Sequence, residues 1–243
     1  EAVDLDAVLE LARSAPPLPV SPVPSREVSS RDIKLGVARD RVFTFYYPEN
    51  LEALEAAGAR LVTVDTLADH SLPDVDGLYL DGGFPEVFLE ALEANEGLRR
   101  HLREAIAGGL PVYAECAGLM YLSRRINWNG RSASMVGAIP CDVEMTGRSQ
   151  GHGYVQGRVI DTNPYFPTGT ELRGHEFHYS RITNLGPVTL AYRLERGEGI
   201  GGGRDGVVVG NVLAAYTHLH ALSVPGWAER LVAQARAYRD RKV

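Results

Sequence analysis

The stretch LPVYAECAGLMYL, residues 110–122, decides the fold. Residues 111–116 form an apolar run of strand length with β-branched and aromatic members, and residues 117–125 are mostly helix formers. Strand and helix meet with no loop between them, and Cys116, one of two cysteines in the chain, stands at the corner. Such a turn exposes the corner side chain and requires small neighbours, here Ala114 and Gly118. The following helix begins with unpaired N–H groups and partial positive charge, which favour a thiolate. The same turn places the N–H of Ala117 where an oxyanion can accept it. A lone cysteine is also a common small core residue, so the corner raises the question of catalysis without answering it.

The flanking sequence alternates strand and helix signals. Strands are predicted at 33–38, 60–65, 76–83 and 111–116. Helices are predicted at 47–58, closed by Gly58, and at 85–109 in one or two pieces. Alternation of this kind predicts an α/β domain with a central, mostly parallel sheet covered by helices on both faces. Residues 131–220 read instead as short, glycine-punctuated β runs added to that sheet, and a final helix is expected over 225–240. Before the domain, residues 4–14 have apolar residues at helical spacing, and five prolines between Pro16 and Pro24 exclude helix or central strand. The expected organisation is therefore a short helix and proline-rich linker over residues 1–30, then one domain over 31–243.

The totals narrow the function classes. A chain of 243 residues, 44% hydrophobic and 23% charged, suits one large domain or two small ones. A net charge of −6 without a basic cluster argues against nucleic acid or an anionic membrane as partner. No apolar run reaches spanning length and no secretion signal is visible, and two cysteines supply no disulfide framework, so a cytoplasmic setting is expected. The chain opens on Glu1, which suggests a piece of a longer protein.

Gly82-Gly83 ends the strand one unit before the corner, at the carboxyl edge of the sheet where open α/β sheets hold ligands. Glycines there let main-chain N–H groups approach a substrate and supply a second oxyanion donor, although an ordinary turn uses them equally well. A thiol nucleophile needs a base. Among the seven histidines, His70 and His101 lie in polar settings, whereas His218 ends the apolar strand NVLAAYTH and belongs at a sheet edge. The runs HEFH (175–178) and HLH (218–220) have ligand-like spacing, but HLH lacks an acidic companion and no metal site is expected.

With Cys116, the Gly-Gly turn and His218 in this order, the sequence resembles the C-terminal glutaminase domain of the cobyrinate a,c-diamide synthase family, within the class I (triad-type) glutamine amidotransferases. The segments GLYLDGGFPE (77–86), PVYAECAGLMYL (111–122), RGHEFHYS (173–180) and YTHLH (216–220) carry the resemblance. It implies a flavodoxin-like class I fold, glutamine as substrate, Cys116 as nucleophile, His218 as its base, and Gly83 and Ala117 as oxyanion donors. It also implies a partner, an N-terminal ATP-binding synthetase domain acting on the carboxylates of a corrin precursor.

Three departures from the family pattern qualify this. No G-x-x-x-x-G-K-[ST] occurs, so ATP and Mg are expected only in the synthetase domain, outside this chain, and no cofactor is expected within it. GEGIGG (197–202) fits G-x-G-x-x-G but precedes no helical pattern. Where the wider class places an acid two residues beyond the histidine, this chain has His220, leaving Glu176 as a candidate orienter; without a carboxylate, His218 would be a weaker base. Met120 stands where many relatives carry a substrate-holding glutamine, so Arg148, Gln150 and Arg173 are candidate substrate contacts. Glu115 should point away from Cys116, toward the Gly82-Gly83 loop or the surface. Alternatives are the same glutaminase chemistry serving another tetrapyrrole of the sirohydrochlorin type or a cell-wall precursor, a thiol-dependent hydrolase on the same scaffold, and a non-catalytic docking module.

Overall fold

The computed structural model describes residues 3–19 and 31–242. Helix α1 (Leu5–Ser14) forms where expected, with Asp4 accepting the Ala7 N–H at its start, and all its residues are exposed. Of the expected linker, residues 16–19 are exposed and without regular structure, and 20–30 lie outside the described residues.

The first half alternates as the sequence predicts: β1 (Ile33–Ala38), β2 (Phe43–Phe45), α2 (Pro48–Ala56), β3 (Ala59–Val64), β4 (Gly77–Leu80) and β5 (Gly82–Gly83). After a 3-10 turn at Pro85–Phe88 come α3 (Leu89–Ala94), α4 (Glu96–Ala107), β6 (Val112–Glu115) and α5 (Ala117–Leu122). Asn95 divides the helical stretch in two: its side chain accepts the Leu98 N–H and donates to the carbonyls of Thr66 and Asp69. The second half comprises β7 (Arg125–Trp128), β8 (Arg131–Ser134), β9 (Asp142–Met145), β10 (Gly151–Val159), β11 (Glu171–His178), β12 (Ser180–Thr183), β13 (Thr189–Arg196), β14 (Arg204–Val209), β15 (Val212–Ala215) and β16 (His218–Leu219), closed by α6 (Trp227–Lys242).

Ten strands form one sheet in the order β16-β11-β10-β13-β14-β15-β6-β4-β1-β3. The run β15-β6-β4-β1-β3 is parallel, and the strands beyond β15 extend it antiparallel. Not all of the second half joins it, as the sequence reading had supposed: β12-β9-β7-β8 form a separate four-stranded sheet. The glycine-rich segment 197–203 is a hairpin connection into β14, so its G-x-G-x-x-G spacing opens a strand and no helix.

Side chains alternate across the sheet. Leu78, Leu80, Val112 and Ala114 face a core shared with Leu89, Leu98, Leu102 and the residues of α5. Tyr79 and Tyr113 face the opposite core with Leu54, Trp227 and Leu231. Strands buried on both faces explain the near-continuous apolar runs in the sequence.

Although β15 and β16 are separated by only Tyr216 and Thr217, they lie at different places in the sheet, with four strands between them. The antiparallel part therefore curls round until its edge strand meets the carboxyl ends of the parallel strands. Close approach is set by glycine. A Cβ on Gly174 would stand 2.1 Å from the His218 carbonyl oxygen, and one on Gly118 2.4 Å from the Leu80 carbonyl oxygen. Replacing Gly118 with alanine should push α5 off β4 and cost about 1–3 kcal/mol of stability, the usual cost of overpacking. Urea unfolding measures this, and an unchanged midpoint would show that α5 moves freely.

Candidate active site

Cys116 follows β6 directly. Its backbone angles, φ 45° and ψ −98°, lie in a region that non-glycine residues seldom occupy, and the corner is held by its neighbours. The Cys116 N–H donates to the Ala215 carbonyl at 2.7 Å, and its own carbonyl accepts the Met120 N–H. The Gly118 N–H donates to the Asp81 carbonyl at 3.1 Å, tying the start of α5 to the end of β4. Helix α5 stops at Leu122, earlier than the sequence suggested, because Ser123 turns extended and its hydroxyl closes on the Met120 carbonyl.

His218 reaches the same point from β16. Its Nδ1 lies 3.0 Å from Asp81 Oδ1 and 3.6 Å from Glu115 Oε2, and its ring lines the same cleft as Cys116. All four residues are buried. Asp81 is held in turn by the Gly82 N–H (2.7 Å) and the Tyr79 hydroxyl (2.6 Å). Glu115 Oε1 accepts from the Tyr113 hydroxyl (2.8 Å) and the Leu219 N–H (3.0 Å). The preceding turn is fixed by buried Asp205, which accepts the N–H groups of Tyr216 and Thr217 and the Thr217 hydroxyl. Gly82 leaves room for the ring, since a Cβ there would approach His218 Cε1 to 2.9 Å.

Electrostatics favour a charged imidazole. Burial works to lower the His218 pKa, but the hydrogen bond to Asp81 and the nearby Cys116 and Glu115 outweigh it and raise the pKa well above the ordinary histidine value. Burial, reinforced by the charge of Asp81, pushes Glu115 up to about 8. Asp81, Glu115 and His218 also have the mutual spacing of a metal-ligand set. The imidazole nitrogen facing the carboxylates is, however, the one that carries the proton shared with Asp81, which suits a hydrogen-bonded relay. Cys141 is fully buried, and burial pushes its thiol up to about 12.

Cys116, His218 and Gly83 line one cleft with Phe45, Gly82, Phe84, His175 and Phe177. Ala117 begins α5 immediately behind the thiol. Gly83 pairs with Phe43, and a Cβ there would lie 1.8 Å from the Val42 carbonyl oxygen, so β2 alone already demands glycine. The β2–β5 ladder that lines the cleft gave no signal in the sequence beyond two isolated aromatics.

Several expectations need correction. Glu176 does not orient His218: its carboxylate accepts the N–H groups of Glu198 and Gly199 and lies 3.6 Å from His178 Nε2, anchoring the glycine-rich connection. The carboxylate hydrogen-bonded to His218 is that of Asp81, so the imidazole has an acidic partner although position 220 supplies none. His220 instead faces Glu49 at 3.6 Å. Glu115 lies neither at the surface nor on the Gly-Gly loop; it is buried, held by the Tyr113 hydroxyl and the Leu219 N–H. His175 and His178 diverge, His178 Nδ1 donating to the Ser180 carbonyl and its ring stacking on Tyr216, while His175 enters the cleft. Met120 is buried against the Ser180 hydroxyl. Arg173 borders an adjoining pocket with Tyr47, Tyr154, His175, His218 and His220. Arg148 and Gln150 sit together on the turn before β10, where the Gln150 side chain donates to the Arg148 carbonyl, and neither lines the cleft. Asp81 was the residue missed; it sits inside the quoted DGG motif, and only the fold brings it to a histidine 137 residues away.

The fold is that of solved glutamine amidotransferases. A structure described as glutamine amidotransferase superposes with TM-score 0.61 at 22% identity, over 83% of this chain and 98% of that one. PurLQS from Thermotoga maritima gives 0.62 at 19%, over 85% and 98%. More narrowly, residues 34–225 match the model of the CobB/CobQ-like glutamine amidotransferase domain, and the chain belongs to that family. It is similar to the cobyrinate a,c-diamide synthases of Magnetococcus marinus (41% identical, 98% of this chain and 52% of that protein) and Archaeoglobus fulgidus (45%, 96% and 51%). The chain thus spans about half the length of these curated relatives.

The raised pKa values of Glu115 and His218 have the same consequence for stability. Each native group keeps a proton that its unfolded counterpart has lost, so stability falls as pH rises. For Glu115 the contribution is complete below the unfolded value near 4.5 and is lost as pH rises through about 8. The slope is at most about 1.4 kcal/mol per pH unit for one proton. Urea unfolding between pH 5 and 9 should show this decline, and Glu115→Gln should flatten it. An equally steep decline in the variant would assign it to other groups.

Proposed function

We propose that this chain hydrolyses glutamine through Cys116 and passes the ammonia to a synthetase partner. The observation that carries the reading is the buried group Cys116, His218 and Asp81, with the imidazole hydrogen-bonded to a carboxylate and sharing its cleft with the thiol. Cys116 Sγ adds to the side-chain amide carbon of glutamine. The carbonyl oxygen becomes an oxyanion, for which the N–H groups of Gly83 and Ala117 are the candidate donors. The protonated His218 gives its proton to the departing nitrogen, the C–N bond breaks, and ammonia leaves a γ-glutamyl thioester. His218, now neutral, takes a proton from water as it attacks the thioester, and glutamate departs as the Cys116 thiolate re-forms. Asp81 stabilises the imidazolium at each stage and fixes which nitrogen faces the sulfur.

The acceptor is proposed from the relatives, which are named for cobyrinate a,c-diamide synthesis and are about twice as long as this chain. In this reading ATP and Mg belong to the remaining half, which activates corrin carboxylates for amidation, and the whole works in the cytoplasm. No helix among the described residues is long and apolar enough to cross a membrane. Asp81 supplies the acid whose apparent loss at position 220 favoured a non-catalytic docking module. Arg173 remains the candidate substrate contact of the three proposed, since it alone borders a pocket shared with His218.

Trapping with 6-diazo-5-oxo-norleucine followed by peptide mass mapping tests the nucleophile. The expected result is a single adduct on Cys116, absent in Cys116→Ser and formed at least 100-fold more slowly in His218→Ala, in the range ascribed to general acid–base catalysis, roughly 10²–10⁴-fold. General thiol reagents labelling Cys116 while the glutamine analogue does not would overturn the glutaminase reading.

A further inference from the structure

His175 has no part in the relay, yet its ring lies against that of His218. In the antiparallel pairing of β11 with β16 it lies directly opposite His218. The two rings stack, with centroids 4.8 Å apart and planes 13° from parallel. On the other side of β11 its register partner is Tyr154 of β10. Its Nδ1 is hydrogen-bonded at 2.9 Å to the hydroxyl of Tyr47, whose ring also meets His220 at 4.9 Å. The backbone admits this contact because the neighbouring residue is Gly174, which carries no Cβ to collide with the His218 carbonyl. Thus the sheet register, a glycine and a tyrosine all fix a second imidazole flat against the first.

We propose that His175, held by Tyr47, is a positioning residue for His218: in its neutral form it lies against the His218 ring and keeps it aligned between Cys116 and Asp81. The proposal rests on the glutaminase reading above. Two stacked imidazoles tolerate one charge and resist two. While His175 is neutral, its π-face supports the imidazolium that His218 becomes during catalysis. Burial, and then the nearby charge of His218, lower its affinity for a proton, in keeping with that state. The titratable and charged groups around it are Arg173 on its own strand, Tyr154 on β10, His218 and His220 from β16 and the turn after it (His220 in turn against Glu49), Tyr47 from the start of α2 and Asp81 from the end of β4, and the charge of Glu176 reaches it from the other face of β11. Cys116 lies across the shared cleft. Protonation of His175 would stack a second cation directly on the His218 imidazolium and weaken the relay on the acid side.

The test compares His175→Ala, which removes the ring, with His175→Phe, which keeps a flat ring that cannot be protonated. Two readouts are taken from pH 5 to 9: kcat and KM for glutamine hydrolysis, and the rate at which iodoacetamide alkylates Cys116. His175→Ala is expected to lower kcat and the alkylation rate together by roughly tenfold at pH 7.5, the upper end of what an aromatic pair contributes. KM should stay within about twofold, as for a group acting on the transition state. His175→Phe should recover most of both rates and shift the acid limb of each profile to lower pH. Unchanged rates in the alanine variant, a rise in KM with kcat preserved, or a phenylalanine variant no better than alanine would each overturn the positioning role. If the unsubstituted chain does not hydrolyse glutamine, the glutaminase reading fails, and the alkylation profiles still decide whether His175 governs the Cys116–His218 pair.

Discussion

The hydrogen bond from His218 to Asp81 joins two parts of the molecule that are built on different plans. Asp81 ends a strand of the parallel sheet, where helices cover both faces and each strand feeds a loop at the carboxyl edge. His218 begins the edge strand of the antiparallel extension, and it arrives at Asp81 only because that extension curls back on its origin. A buried imidazole between two carboxylates is costly unless its neighbours are satisfied. Here they nearly all are: Asp81 has an amide and a phenol besides the histidine, and Glu115 has a phenol and the Leu219 amide. One oxygen, Glu115 Oε2, stays 3.6 Å from His218, close enough to matter electrostatically and too far for a full hydrogen bond. Burial and the charge of Asp81 raise the proton affinity of Glu115, and the nearby His218 works against them.

Glycine sets where main chains touch around this bond. Gly82 makes space for the imidazole, Gly83 for the Val42 carbonyl, Gly118 for β4 and Gly174 for β16. None of these sites is explained by flexibility, and each is a position where a methyl group would meet an atom already in place. The positive φ of Cys116 belongs to the same set of constraints, because a side chain aimed into the cleft from a tight corner must accept an unfavourable backbone, at a cost on the order of 1–3 kcal/mol.

The sequence made the parallel half of the fold legible because its strands are short apolar runs separated by capped helices, and Cys116 and His218 were legible because each ends such a run. Asp81 was not. In the chain it is an ordinary acid before two glycines, and its partner lies in a segment whose place depends on the curl of the whole antiparallel extension. Glu176 was chosen because it lies among histidines in RGHEFHYS, but strand alternation sends it to the face opposite His175, where the connection after β13 claims it. The separate sheet of β7, β8, β9 and β12 was missed for a similar reason: its strands are four residues long, and nothing local says which larger sheet they join.

His218 stands near the end of the chain, 137 residues after Asp81, and the Leu219 amide that holds Glu115 comes 104 residues after it. A ribosome makes Cys116 and both carboxylates long before it makes their histidine. At about 5–20 residues per second, the nascent domain carries the Cys116 thiol without the His218 imidazole for roughly 5–20 seconds. During synthesis the paired acids have no cation between them, and the edge of β11 that β16 will occupy is open. The thiol, the two carboxylates and the imidazole therefore meet only after the last strand, β16, has emerged, with α6 still to follow.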